Sequence, residues 1–294
     1  MLKNTVYFIL VCALAMVFAE STLLLAQHNH QTSVETIKFK SELVGATLPY
    51  NVVVPAGYRS RTTTRYPVLY LLHGLTGHYS DWLQKTNLAD YAAHYRLIIV
   101  TPEGNDSWYT DSVTAAPLEK YESYIIRELI PDVDRRFRTV QDRRARAIAG
   151  LSMGGYGALK FAVKYPDKFV FAASMSGALG AAAQTDAAPG FAWDFLRPSI
   201  LRVFGSAGSQ MRAANNLHRL FSDLPAEKLS ALPFFYFDCG TEDGFLETNR
   251  DFAQILLNRR IPHEFRELPG GHNWSYWDAQ IREVLKSAAG RMKL

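Results

Sequence analysis

Cysteine is nearly absent: Cys12 and Cys239 are the only two among 294 residues. The first falls in an N-terminal segment that opens Met1-Leu2-Lys3, runs apolar over 6–18 through Ala13 and Ala15, and turns polar at Glu20. That pattern predicts a secretory signal peptide over residues 1–26, cut after Ala19 or Ala26, with an uncleaved anchor as the alternative. A lipoprotein reading of Cys12 is disfavoured, because Val11 precedes it where a small residue is wanted. Cleavage leaves Cys239 alone, so no internal disulfide can support the exported chain, and its stability must come from a hydrophobic core. Long apolar runs are missing too. Even 6–18 is shorter than the roughly 18 to 20 residues of a membrane span, so no stable membrane association is expected after signal cleavage. Charge of one sign is also in short supply. The formal net charge of +4 is too small and too dispersed to argue for nucleic acid. One basic cluster, Arg135, Arg136, Arg138, Arg143, Arg144 and Arg146, reads as a solvated loop rather than a site for an anionic partner. His28 and His30 lack the further ligands and rigid frame of a metal site. Neither repeat nor linker interrupts the chain, so 27–294 reads as a single domain.

What the sequence does have is alternation. Residues 36–41 and 50–54 show period-two patterning, as an antiparallel lead-in would. The segments 68–72, 97–100, 145–149, 170–173 and 234–237 are instead near-continuous apolar runs, suited to strands buried on both faces. Helical patterns lie between them. Leu118, Tyr121, Ile125 and Leu129 share one face before Pro131 ends or kinks the helix, and Phe245, Phe252, Ile255 and Leu256 share another. A last strand over 264–268 and a closing helix over 276–291 complete an α/β fold, with a mostly parallel central sheet and helices on both faces. From 177 to 232 the alternation lapses into Ala, Gly and Pro, followed by one helical piece around 193–203 and another over 210–221. That insertion follows the C-terminal end of a strand, the edge where open α/β sheets bind ligands, so it is expected to form a partial lid.

The chemistry gathers at Gly150-Leu151-Ser152-Met153-Gly154, between a small-residue strand and a helical pattern. This is a nucleophile elbow: the serine sits on a sharp strand-to-helix turn, and flanking glycines remove the Cβ atoms that would clash there. A serine hydroxyl is nearly inert at neutral pH and needs a base, which in turn needs an acid to orient it. Three histidines follow the elbow. His218 falls in the insertion and His263 opens a strand, which leaves His272, in the loop after the last strand, as the base. Asp243, in the loop leaving 234–237, is the preferred acid, with Asp238 and Glu242 as rivals. Oxyanion donors are expected from the backbone N–H of Met153 and, in the Gly-rich loop 73–77, of Leu75. His73 is read as bracing that loop.

Together these residues carry a resemblance. Leu72-His73-Gly74-Leu75, Pro102-Glu103-Gly104-Asn105 with Trp108-Tyr109 and Asp111, the elbow itself, Cys239-Gly240-Thr241-Glu242-Asp243, and Gly271-His272-Asn273-Trp274 resemble the putative-esterase family. That family includes esterase D (S-formylglutathione hydrolase), tributyrin esterase, feruloyl and acetylxylan esterases, and the antigen 85 mycolyltransferases. The similarity covers roughly residues 50–285. It implies an α/β-hydrolase fold and ester hydrolysis or acyl transfer, with Ser152, Asp243 and His272 as triad and Leu75 and Met153 as oxyanion donors. The signal peptide departs from the cytosolic S-formylglutathione hydrolases, which argues against glutathione thioesters.

The resulting expectation is a secreted or periplasmic serine carboxylesterase that needs no cofactor and no metal. Its alternatives are an acyltransferase that passes the acyl group to a sugar hydroxyl, and a non-catalytic binding protein on a hydrolase scaffold. Trp108, Tyr109, Trp193 and Trp274 are expected to line the cleft, whereas Trp82 and Trp277 either contact substrate or anchor loops against the domain body. Flat aromatic faces there suit small-molecule or carbohydrate esters, or esters of an aromatic acid. The sequons at Asn105 and Asn273 flank the expected active-site loops and are read as coincidental.

Overall fold

The computed structural model describes residues 32–112, 119–184 and 191–292, without the side chains of 191–193. The signal-peptide segment, Cys12, His28, His30 and Leu118 lie outside the described residues, as does the side chain of Trp193.

The strands are β1 (Ser33–Ser41), β2 (Ala46–Val54), β3 (Val68–Leu72), β4 (Ile98–Pro102), β5 (Arg146–Leu151), β6 (Phe171–Met175), β7 (Phe234–Gly240) and β8 (His263–Leu268). They form one eight-stranded sheet in the order β1-β2-β4-β3-β5-β6-β7-β8. β1 and β2 pair antiparallel from Ser33↔Val54 to Ser41↔Ala46. Gly45 closes that hairpin at φ 70, its N–H donating to the Ser41 carbonyl. β2 meets β4 antiparallel, and every later pairing is parallel. Because the parallel strands run together, the loops at their C-terminal ends converge on one edge of the sheet.

The helices used below are α1 (Asp81–Lys85), α2 (Leu88–Ala92), α3 (Ile130–Arg136), α4 (Met153–Lys164), α5 (Phe191–Phe204), α6 (Gln210–Asn215), α7 (Leu217–Ser222), α8 (Leu246–Asn258) and α9 (Trp274–Arg291). Successive strand residues point to opposite faces, which is why β3 is buried throughout. Val68, Tyr70 and Leu72 join a core with Val133 of α3, Phe161 of α4 and Phe252 of α8. Leu69 and Leu71 join a second core with Trp82 of α1, Leu88 of α2, and Ile281 and Val284 of α9. Helices therefore cover both faces, and the strand order with the elbow after β5 is that of the α/β-hydrolase fold.

Two local expectations are corrected. Pro131 does not end its helix: α3 continues directly from a π-helical segment, Tyr124–Leu129, and the proline sits in the first turn of α3. Proline has no N–H to offer the preceding turn, and the wider π-helical winding just before it gives its ring room where a regular α-turn would clash. The helical piece over 210–221 is two helices, α6 and α7, parted at Asn216, whose side chain accepts the Arg219 N–H and caps the second. The arginine cluster has partners within the protein. Arg135 and Arg136 bind Asp132, Arg144 binds Asp142 and Arg146 binds Asp134. Arg138 stacks on Tyr58, and Arg143 donates to the carbonyls of Pro166 and Ala231. Among the described residues, no helix is long and apolar enough to cross a membrane.

Candidate active site

The turn from β5 into α4 is built on the close approach of two backbones. A Cβ on Gly154 would lie 2.6 Å from the carbonyl oxygens of Leu72 and His73, and one on Gly150 only 2.4 Å from the Gly154 carbonyl. Only glycine fits at either position. The bend forces Ser152 to φ 52 and ψ −117, a strained conformation for a residue with a side chain. Its N–H donates to the Met175 carbonyl at 3.0 Å, so the turn is tied to the adjacent strand.

Ser152 Oγ lies 3.0 Å from His272 Nε2, and His272 Nδ1 lies 2.8 Å from Asp243 Oδ2. These three residues come from the loops after β5, β8 and β7, which the parallel sheet brings to the same edge. Asp243 is buried, and burial pushes its carboxyl up; the hydrogen bond and charge of His272, with the Phe245 N–H on Oδ1 at 2.9 Å, more than offset this and hold it below the ordinary range. An ionised Asp243 only accepts, so Nδ1 of His272 carries the proton. Nε2 is then left to accept from the Ser152 hydroxyl. The imidazole is wedged between Phe245 and Trp277, with ring centroids 5.0 and 4.9 Å away, which limits its rotation. Such a chain can take the serine proton as the oxygen attacks a carbonyl and return it to the leaving group.

Met153 is the first residue of α4, immediately after Ser152, so its N–H has no intrahelical acceptor. Leu75 shares the wall of the same cavity. His73 is buried within a brace. With Nδ1 protonated it donates to the Gly74 carbonyl at 2.8 Å, and Nε2 accepts the Gly104 N–H at 2.9 Å, so both ring nitrogens are occupied away from any substrate.

The rivals of Asp243 stand elsewhere. Glu242 is exposed, and Asp238 is fully buried, its Oδ1 accepting the Tyr276 hydroxyl at 2.9 Å rather than backbone groups of the turn. Burial pushes the Asp238 carboxyl up to about 7 against the opposing pull of Tyr276 and Arg266. In the unfolded chain an aspartate titrates near 4, so between about pH 4 and 7 the folded state holds the extra proton and stability falls as pH rises. Asp238→Asn keeps an acceptor for Tyr276 and removes that slope. Chemical denaturation at pH 5 and pH 8 should show wild type losing about 2 to 3 kcal/mol more than the variant across that interval. Parallel profiles for the two proteins would refute this account of Asp238.

A cavity of about 760 Å³ opens over Ser152, its wall including Leu75, Asp81, Lys85, Phe195, Phe245 and Trp274. Trp274 is thus at the cleft, where it meets the edge of Trp82 and carries the Lys85 ammonium 5.0 Å over its ring. Trp108 and Tyr109 are not there, which corrects the expectation that they contact substrate. Both are fully buried. The Trp108 indole donates to Ser199 Oγ at 3.0 Å and packs on Tyr156 and Phe204, so it ties α4 to the insertion. The Tyr109 hydroxyl donates to the His73 carbonyl at 3.0 Å and supports the 73–77 loop from behind. Both are drawn inward by Lys160, a fully buried lysine whose ammonium donates to the Tyr109 carbonyl at 2.8 Å and pairs with Glu122 at 3.1 Å. Trp82 is an anchor: its indole donates to the Leu72 carbonyl at 3.1 Å. Trp277 is nearly buried against His272 and also borders the cavity.

Sequence reasoning missed Phe195 and Leu196, which bring the insertion to the cavity wall, and the Asp81–Lys85 pair, joined at 2.9 Å. The i,i+4 spacing of that pair, flanking Trp82 on one helical turn, was an available signal. Among the described residues, no cluster of His, Cys, Asp and Glu could hold a metal ion.

Residues 41–288 match the family described as Putative esterase. An acetyl esterase of Caldicellulosiruptor saccharolyticus is 33% identical over 223 residues, a match that takes in 74% of this chain and 81% of that one. An esterase of Mycobacterium tuberculosis is 33% identical over 255 residues, which is 80% of this chain but 54% of that one, so the chain spans about half of that relative's length. The solved structure of a ferulic acid esterase is similar with a TM-score of 0.76 and 27% identity, over 90% of this chain and 99% of that one.

Proposed function

The chain belongs to the putative-esterase family and is a carboxylic ester hydrolase, and from that premise we propose that it is exported and cleaves small acyl or aryl esters, on carbohydrate among others, through an acyl-serine intermediate. The observation that carries this reading is the chain of hydrogen bonds from Asp243 through His272 to Ser152 on the floor of the cavity. Ser152 Oγ bonds to the ester carbonyl carbon while its proton passes to His272 Nε2, and the oxyanion is held by the N–H groups of Leu75 and Met153. The tetrahedral adduct collapses as the alcohol leaves with the proton from His272. Water then repeats the sequence on the acyl-serine and releases the acid. The apolar segment 6–18 supports export, and Phe195 and Leu196 support the reading of the insertion as a partial lid.

Substrate class follows from the walls. Trp274, Phe195 and Phe245 offer aromatic surface to an aryl acyl group or a sugar ring, and the Asp81–Lys85 pair is poorly matched to a long alkyl chain. Kinetics on p-nitrophenyl acetate, methyl ferulate, an acetylated xylo-oligosaccharide and long-chain p-nitrophenyl esters test it. Short acyl, feruloyl or acetylated-sugar esters should be preferred, and Trp274→Ala should lower kcat/KM on its preferred ester by about tenfold, or roughly 1.4 kcal/mol. Preference for long acyl chains would remove this account of the cleft. Product that grows with an added sugar acceptor at the expense of free acid would move the reading to acyl transfer.

A further inference from the structure

Leu75 sits inside a tight turn. The Gly77 N–H donates to the Gly74 carbonyl at 3.1 Å, which makes Leu75 and Thr76 the two central residues. A central residue's own N–H at the first position takes no part in that turn hydrogen bond, which leaves the Leu75 N–H free to face a substrate oxygen. The second central position is at φ 60. Turns of that kind call for glycine or asparagine there, and for a β-branched residue the left-handed region is a genuine outlier. Threonine occupies it nonetheless.

What holds Thr76 in place comes from the neighbouring loop, 103–109. The Thr76 N–H donates to Asp106 Oδ1 at 2.6 Å. That loop is itself firmly tied: Glu103 accepts the Asn105 N–H at 3.0 Å, the Ser107 hydroxyl donates to the Gly104 carbonyl, and the Asp106 carbonyl accepts from the Arg202 guanidinium of α5 at 2.6 Å. At the other end of the turn, His73 is gripped by the Gly104 N–H and the Tyr109 hydroxyl. The amide of Leu75 therefore lies between two pins. The first is buried; the second, Asp106, is a charge-assisted bond at the solvent side.

We propose that Asp106 is a positioning residue for the oxyanion hole: its carboxylate holds Thr76 in the left-handed conformation and so keeps the adjoining Leu75 N–H aimed at the ester oxygen. The proposal rests on the serine-esterase reading above. Without the carboxylate, Thr76 relaxes toward negative φ, the peptide planes on either side rotate, and the donor loses the alignment on which its effect on the transition state depends.

The test is steady-state kinetics on p-nitrophenyl acetate with thermal unfolding alongside. Asp106→Ala should lower kcat by roughly ten- to a hundredfold while KM changes by less than about threefold, since the lost alignment matters in the transition state. Asp106→Asn keeps an uncharged acceptor and should lose less. In a Thr76→Gly background the further change Asp106→Ala should cost kcat less than about threefold, a rescue that follows because glycine adopts this φ without a partner. A residue that merely supports the loop would show no such rescue. Wild-type kcat in Asp106→Ala, a loss confined to KM, or a loss that Thr76→Gly leaves untouched would each overturn the proposal. Should Asp106→Ala fail to fold, Asp106→Asn with and without Thr76→Gly makes the same comparison. Turnover by wild type keeps this outcome separate from the esterase reading, which fails only if wild type itself hydrolyses no ester.

Discussion

Ser152→Ala is expected to lower turnover of p-nitrophenyl acetate by roughly a million-fold, to the level that binding and oxyanion donors alone provide. In the proposed mechanism the hydroxyl is the atom that bonds to the substrate, and among the described residues no other side chain hydrogen-bonds to His272 Nε2, which lies 3.0 Å from it. Stability should hardly change. The backbone strain at φ 52 is the same for alanine, and the lost hydrogen bond to the half-exposed imidazole contributes about 1 kcal/mol. His272→Ala should cost nearly as much activity, and the double variant little more than either single one, because proton transfer and attack are one event. Strictly additive losses would mean that the two residues do not act together. Retention of near-wild-type turnover, with mass spectrometry confirming the alanine, would end the acyl-serine mechanism. A fluorophosphonate probe gives an independent reading: it should attach to wild type and fail on Ser152→Ala.

The second large effect is expected at Asp243. Asp243→Asn should reduce kcat by about 10⁴ with little change in fold, because asparagine does not require a proton on His272 Nδ1. Its amide can present NH₂ instead, which favours the tautomer whose proton sits on Nε2 and which cannot accept one from Ser152. The contrast with Asp238→Asn makes the assignment sharp. Asp238 touches Tyr276 and not His272, so its replacement should leave kcat of the same order while altering the pH dependence of stability. Equal losses from the two substitutions would mean that the acid has been misassigned. A loss only in Asp238→Asn would reverse the roles.

Much of this architecture is visible in the one-dimensional pattern, for reasons that are local. A strand buried on both faces must be apolar throughout, and 68–72 is, so β3 could be placed without knowing its neighbours. Likewise, a bend as sharp as that at Ser152 leaves no room for a Cβ two residues away on either side, and the glycines at 150 and 154 report it. Chain order in a parallel sheet then directs attention to loops after later strands, where His272 and Asp243 are found. The π-helical passage before Pro131 was not visible, because the sequence shows the proline but not the looser turn that precedes it.

By itself, then, the sequence determined the alternation of strand and helix, the elbow at Ser152 and the few histidines and acids able to serve it. All of these depend on spacing along the chain and on the size of individual residues. Tertiary structure alone decided which way side chains face. Trp108 and Tyr109 stand at positive φ, 52 and 49, and turn into the core because a buried ammonium from α4, Lys160, gathers the carbonyls of their loop, a contact spanning some fifty residues. Asp238 and Asp243 lie five residues apart at the end of one strand, yet one faces Tyr276 beneath the site and the other faces His272 within it. Phe195 and Leu196, more than forty residues along the chain from Ser152, reach the wall of its cavity, which no local pattern records. The distinction is physical: periodicity and steric fit are properties of neighbouring residues, whereas the direction of a side chain on a loop is set by whichever distant element supplies its partner.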